Sequence, residues 1–250
     1  IAAASGELLC FIDSDDTVSA NYLEILHTLY SPGVLPVIDV VCSDRNGSAL
    51  NPMPETFTLD GNWVDSYFCG QLRYGIAFSV CNKLYSLQTL RRECIAFLPE
   101  LSIGEDMLFV FQYLQHCQSI RFSKDASYHY TIVPGSAMFS SMDYTQPYEK
   151  TFAIMSEKER FSSLIADRTL SRWAFDASII IIANPFIIDR NYAEFKKWWR
   201  EFRQTALYCS AVASEKPSGY KRRLLHFAVR AENTIAIYVL FRLLRFGKKK

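Results

Sequence analysis

The residues best suited to chemistry are four carboxylates in two places. Asp13, Asp15 and Asp16 lie in "FIDSDDTV", directly after an apolar run, and Asp106 lies in "IGEDMLFVF", directly before another. A single acid at such a junction is ordinary turn chemistry, because Asp and Ser accept backbone hydrogen bonds and favour strand exits and helix starts. Three acids within four residues repel one another, and that repulsion is relieved by a cation. Two hard oxygen donors with one residue between them suit magnesium or manganese, with water or phosphate oxygens completing the shell.

Three ligands compete for the first cluster. Asp13, Asp15, Thr17, Ser19, Asn21 and Glu24 fall at positions 1, 3, 5, 7, 9 and 12 of a helix–loop–helix calcium site. Position 6 is Val18 where the sharp turn requires Gly, and a strand precedes it, so that match is a coincidence of spacing. "FIDSDDTV" also resembles the first motif of the haloacid dehalogenase phosphatases, in which Asp13 would be the nucleophile and Asp15 the general acid/base. The third reading is a sugar-nucleotide site, in which two acids hold a divalent metal against a diphosphate. Both of the last two fit these eight residues.

The elements that would position the acids follow from periodicity. Leu8–Ile12 reads as a buried strand, residues 20–30 as a helix and 37–43 as another strand. Residues 44–62 are polar and carry Pro and Gly, as expected of a loop or short hairpin. A helix is expected over 63–72 and a strong one over 103–117, and "SIRFS" and "ASYHYTIV" read as two short strands. The pattern is α/β with a mixed sheet flanked by helices. Beyond Pro147 long helical stretches rich in Trp, Phe and Arg take over, at 148–166, 170–183, 191–209 and 220–246. The expected organisation is therefore a catalytic-type domain over 1–147 and a helical appendage over 148–250 with a basic amphipathic C-terminus.

The second acidic site weighs on the choice. Ser102-x-x-Glu105 forms a capping-box pattern that accounts for Glu105 structurally. Asp106 follows it in the first turn, where the helix dipole favours an anion. A phosphatase would need a Gly-Asp ending a strand with another acid a few residues on, and "GEDMLFVF" has no such second acid.

At this point the chain resembles the family-2 glycosyltransferases of GT-A fold, particularly those of bacterial polysaccharide synthesis. "ASGELLCFIDSDD" matches the Asp-x-Asp strand, "CNKLYSLQTL" the acceptor-side Asn-Lys-Leu segment, "IGEDMLFVFQYL" the Gly-Glu-Asp catalytic helix and "ASYHYTIVPGSAM" the Tyr-x-Tyr strand with its following Ser. The four occur in the family's order over residues 4–138. The resemblance implies an inverting, metal-dependent transfer of a sugar, from a nucleotide-sugar donor of UDP type to a hydroxyl of a glycan or lipid-linked acceptor. Asp15 and Asp13 would hold the divalent ion, with Asp13, Asp15 and Asp16 on the donor. Asp106 would be the base with Glu105 beside it, and Lys83 and His129 would lie toward the acceptor.

Departures from the family pattern carry their own expectations. A strand–helix–strand unit with the base and ribose contacts precedes Asp-x-Asp in the family, whereas this chain begins just ahead of the motif; the resemblance implies a missing N-terminal unit, by truncation or degeneracy. Thr131 stands where an Arg commonly follows Tyr-x-Tyr. Arg172-Trp173 occurs with Thr169 in place of Gln, so transfer of a single sugar is expected rather than processive synthesis.

Composition bounds the rest. The chain has 250 residues, 50% of them hydrophobic, and a net charge of +1, so no bulk attraction to nucleic acid is expected. Seven scattered cysteines without a Cys-x-x-Cys pair suggest reduced, mostly buried thiols of a cytoplasmic protein. "ASIIIIANPFII" is too short to span a bilayer and is broken by Asn184-Pro185. The basic amphipathic end suggests peripheral contact with the inner face of the plasma membrane. Read without the family, Lys83 at a strand–helix junction would be solvated, and His129, between two tyrosines on a strand, would be a satisfied structural histidine. Asp16 would be a cap, and Tyr192, Phe195, Trp199 and Phe202 a packed helical stripe.

Overall fold

A computed structural model describes residues 1–43, 56–60, 78–131, 143–157, 167–214, 220–230 and 233–246. The chain divides into two units, Ile1–Phe139 and Ser140–Lys250. The first contains β1 (Leu8–Leu9), β2 (Thr17–Val18), α1 (Tyr22–Leu29), β3 (Val34–Ser43), β4 (Phe57–Asp60), β5 (Tyr85–Ser86), α2 (Leu87–Arg92), α3 (Glu105–Leu114) and β6 (Ser119–Thr131). The second contains α4 (Thr145–Met155), α5 (Asp167–Ala183), α6 (Pro185–Ile188), α7 (Tyr192–Phe202), α8 (Ala206–Ala213), α9 (Tyr220–Arg230) and α10 (Thr234–Phe246).

The sheet of the first unit is built around β6. On one side β3 runs parallel to it along its length; on the other, β4 pairs antiparallel with its start and β2 with its end. The two strands expected over 119–133 are thus one strand. The register jumps between Ile38 and Asp39 because Lys124–Ala126 bulge out of the ladder, and that polar bulge is what reads in sequence as a break. A second, two-stranded sheet pairs β1 with β5. The strand expected over Leu8–Ile12 is shorter and less buried than its apolar run suggests: pairing stops at Leu9, and Ile12 is 50% exposed. Phe11 nevertheless anchors the segment, packing edge-on against Tyr85, Phe97 and Phe109. The expected helix over 63–72 and the Ser after Tyr-x-Tyr lie outside the described residues.

Two glycines set turns that other residues would strain. Gly33, at φ +78°, turns the chain into β3, and its carbonyl accepts the Gln118 N–H at 2.7 Å. Gly104, at φ +82°, caps α3. The capping box expected from Ser102 and Glu105 does not form: the helix starts at Glu105, and no side chain caps it. A left-handed Gly104 makes the entry turn that the Ser-x-x-Glu pattern would otherwise have provided. Seven of the ten residues of α3 are buried, which makes it a core helix.

In the second unit α5 packs against α4, α6, α8 and α10, and α10 also packs against α7 and α9. Pro147 lies inside the first turn of α4, where its missing N–H costs nothing. Asn184 breaks the apolar run by capping α6 with Pro185 at its first position, and Asn191 caps α7 by accepting the Glu194 N–H. Phe195, Trp199 and Phe202 are all but fully buried and Tyr192 is half-buried, so the aromatic stripe is core apart from its first residue. Of the five cysteines with described side chains, only Cys81 is buried; Cys10 and Cys117 are half-buried, and Cys94 and Cys209 exposed, so the expectation of mostly buried thiols is corrected. None of the described helices is long and apolar enough to cross a membrane.

Candidate active site

The three clustered acids sit on one turn. The Asp16 N–H donates to the Asp13 carbonyl at 3.2 Å, closing Asp13-Ser14-Asp15-Asp16 between β1 and β2. The carboxylate of Asp16 is already occupied. It accepts the Tyr128 hydroxyl at 2.6 Å and the Thr131 N–H at 2.7 Å, fastening the turn to the end of β6. Asp16 therefore caps no helix. The Tyr128 oxygen also accepts the Asp13 N–H at 3.1 Å, so one buried phenol bridges both ends of the turn. Burial, then the Asp16 bond, pushes the Tyr128 pKa up, which keeps its proton in place as a donor. Asp13 and Asp15 are exposed, and Asp15 makes no hydrogen bond or ion pair to any described residue.

Beside the turn lies the segment Ser79–Lys83, held from several directions. Tyr22, the first residue of α1, donates its hydroxyl to the Cys81 carbonyl. The Asn82 amide donates to the Ile38 carbonyl at 2.7 Å, and the Ile38 N–H returns a bond to the Asn82 carbonyl at 3.0 Å, stitching the segment onto β3. Lys83 is fully buried, against the expectation of a solvated lysine. Its ammonium donates to the Ser79 carbonyl at 2.6 Å and the Asn82 side-chain oxygen at 2.7 Å. The Cys81 thiol donates to Asp13 Oδ2 at 3.6 Å, and burial pushes its pKa up to about 12, so it is a neutral donor beside the acids.

Asp106, the second residue of α3, joins this group. Its pKa is pushed up to about 6, first by burial, then by the charges of Glu105 and Asp13; Lys83 and a hydrogen bond from the Val80 backbone oppose the rise. Burial brings Lys83 down to about 7, against the pull of Cys81 and Asp106. The fold thus brings Asp13, Lys83 and Asp106 into one electrostatic neighbourhood across nearly a hundred residues of sequence. Glu105 stands half-buried beside Asp106 on the same helix turn. His129 is satisfied by Ser127, whose hydroxyl lies 2.8 Å from Nε2, and strand alternation turns it to the face away from Tyr128. An open cleft lined by Glu7, His27, Tyr30, Gln88 and Arg91 shares no residue with this site.

The arrangement has a clear chemical capacity. A carboxylate titrating near neutrality accepts a proton efficiently at physiological pH. Exposed Asp13 and Asp15 are hard oxygen donors of the kind a divalent ion takes. Among the described residues no group of three His, Cys, Asp or Glu side chains is arranged to hold a metal. Sequence reasoning missed Tyr128, Cys81, Tyr22 and Val80 as parts of the site. Tyr128 carried a signal in the Tyr-x-Tyr pattern and Cys81 in the segment it opens, "CNKLYSLQTL"; Tyr22 and Val80 carried none.

No family model matches the sequence, and no curated protein matches it. Among solved structures the chain is similar to S. aureus TarS residues 1–349 in complex with UDP-GlcNAc, at 21% identity and a TM-score of 0.59, covering 98% of this chain and 70% of that one. It is similar to the same protein in complex with UDP at 19% identity and a TM-score of 0.57, covering 99% and 69%. Against the longer S. aureus TarS structure the figures are 19% and 0.58, and the match spans 41% of that chain. Identity this low speaks to fold alone: this chain, a mixed sheet flanked by helices, shares the fold of those structures.

Proposed function

We propose that this chain is a family-2-type, inverting glycosyltransferase. It would move a hexosyl or similar sugar from a UDP-sugar to a hydroxyl of a glycan or lipid-linked acceptor in surface-polysaccharide synthesis. The observation that carries the reading is the pairing of an outward-facing Asp13/Asp15 turn with a partly buried Asp106 whose pKa lies near 6. A transferase needs those two functions, a place for a diphosphate and a base. TarS, crystallised with UDP-GlcNAc and with UDP on the same fold, supports the donor class.

Each residue but His129 then has a task. Asp15 and Asp13 would hold a divalent ion, manganese or magnesium, which would neutralise the charge that develops on the departing diphosphate. Asp16 and Tyr128 hold the turn in shape. Asp106 accepts the proton of the attacking hydroxyl, and in-line attack from its side inverts the anomeric centre. Glu105 keeps the Asp106 pKa high, and Lys83, buried nearby, keeps it from rising too far. His129, bonded to Ser127 on the face of β6 opposite Tyr128, takes no task in this reading. The dehalogenase-type alternative keeps only the eight residues around Asp13 in its favour.

The reading is tested by calorimetry of the full-length protein with UDP-sugars, with and without manganese, alongside a phosphatase assay with p-nitrophenyl phosphate. Manganese-dependent binding of one UDP-sugar without phosphatase activity is expected. Phosphate release dependent on Asp13, with no sugar nucleotide bound, would overturn it.

A further inference from the structure

The second unit ends in two adjacent helices that expose apolar side chains on the face turned away from its core. On α10, Ile237 and Phe241 are buried, while Ile235, Val239 and Leu243, spaced by one turn each, are 60%, 47% and 65% exposed. On α9, Ala228 and Val229 are buried, while Leu224 and Phe227 are exposed, Phe227 at 70%. The two helices touch. Five large apolar side chains on one helical pair are more than scattered exposure accounts for.

Charge says what this surface faces. From Tyr220 to Lys250 the sequence carries nine Lys and Arg residues against one acid, Glu232, in a chain whose net charge is only +1. The remainder of the chain is therefore net acidic, and the basic charge is gathered in the stretch of sequence that carries the apolar ridges. Arg223 and Arg230 are exposed on α9, at helical spacing that places them beside Phe227. Arg242 lies over the Tyr238 ring, 5.2 Å from its centre, next to the α10 ridge. Apolar ridges rimmed by arginine match a layer with anionic headgroups above acyl chains; a protein groove would not call for so large an excess of positive charge.

We infer that α9 and α10 form a docking surface for an anionic lipid bilayer, lying in the headgroup layer without crossing it. The inference is independent of the transferase reading, since vesicle binding needs no sugar nucleotide, and either can fail alone. The test is co-sedimentation of the full chain with phosphatidylcholine vesicles, with and without phosphatidylglycerol, for the native chain and for Phe227→Glu/Val239→Glu/Leu243→Glu. All three side chains are exposed, so the fold is expected to survive, checked by circular dichroism. The native chain should pellet only with the anionic vesicles and less at high salt, and the triple variant should partition at least about tenfold more weakly. A second variant, Arg223→Glu/Arg230→Glu, should weaken binding in the same direction. Equal pelleting of native and triple-variant chains, equal pelleting with both lipids, or no pelleting at all would overturn the inference. So would a native dimer in sedimentation velocity that the triple variant abolishes without any vesicle binding, which would assign the face to a second copy.

Discussion

As the proposed base, Asp106 is held under two opposing demands. A base must be ionised to work, yet burial and the charges of Glu105 and Asp13 push its pKa up to about 6. The sign follows directly: activity should be low when the group is protonated and rise with pH through about 6, visible as the acidic limb of kcat/KM. Lys83→Met removes the positive charge that holds the value down, so that limb should move to higher pH. An unchanged limb would mean that Lys83 acts only through its hydrogen bonds. The same shift bears on stability. A carboxylate whose folded pKa is raised above 3.8 contributes nothing below that pH and destabilises increasingly as pH rises toward 6. Asp106→Asn should therefore stabilise the fold at neutral pH by on the order of 1–3 kcal/mol, with the gain fading in thermal scans below about pH 4. The four acids were legible in the sequence because like charges crowd at element boundaries. Tyr22 was not, since a phenol looks like a core residue until a partner far along the chain is placed beside it.

At the scale of elements, the site depends on β6 reaching the acidic turn. Tyr128→Phe keeps the ring and its burial but removes the hydroxyl that serves both Asp13 and Asp16. About 1–3 kcal/mol of stability should be lost by chemical denaturation, because Asp16 and the Asp13 N–H lose a partner in a partly buried place. Donor affinity should fall more than turnover. Most helices were legible from apolar spacing, as Tyr22 and Leu26 on α1 illustrate, but the single stretch expected over 191–209 is two helices, because Thr205 caps a new one, α8, just after α7 ends. The continuity of β6 was not: Lys124 and Asp125 look like a turn, and only the register with β3 shows them to be a bulge. The start of α3 was misread for a related reason, because a Ser-x-x-Glu pattern and a left-handed Gly compete to open the same helix. In the second unit Phe195 is fully buried and touches Trp198, Trp199 and Tyr238. Phe195→Ala should cost about 3–5 kcal/mol in thermal or denaturant unfolding; a loss below about 1 kcal/mol would mean that this aromatic cluster is not the core of the helical unit.

For the whole molecule, the order of motifs along the chain was more informative than any one of them. "FIDSDD" alone fits a phosphatase as well as a transferase. Its succession by "CNKLY", "GED" and "YHY" corresponds in space to segments that meet around Asp13, since Lys83 and Asp106 share its electrostatic surroundings and Tyr128 binds its backbone. The central claim, that Asp106 is the base of a sugar transfer whose donor is held by the Asp13–Asp16 turn, is tested most directly by Asp106→Asn in the full chain. Donor binding by calorimetry and turnover with a matched donor and acceptor are measured on the same preparation. Asn keeps the size of the side chain and its place in the first turn of α3, so donor affinity should stay within about threefold of the native value. Turnover should fall by roughly a hundred- to ten-thousand-fold. An Asp106→Asn protein that binds donor and turns over at close to the native rate would contradict the assignment.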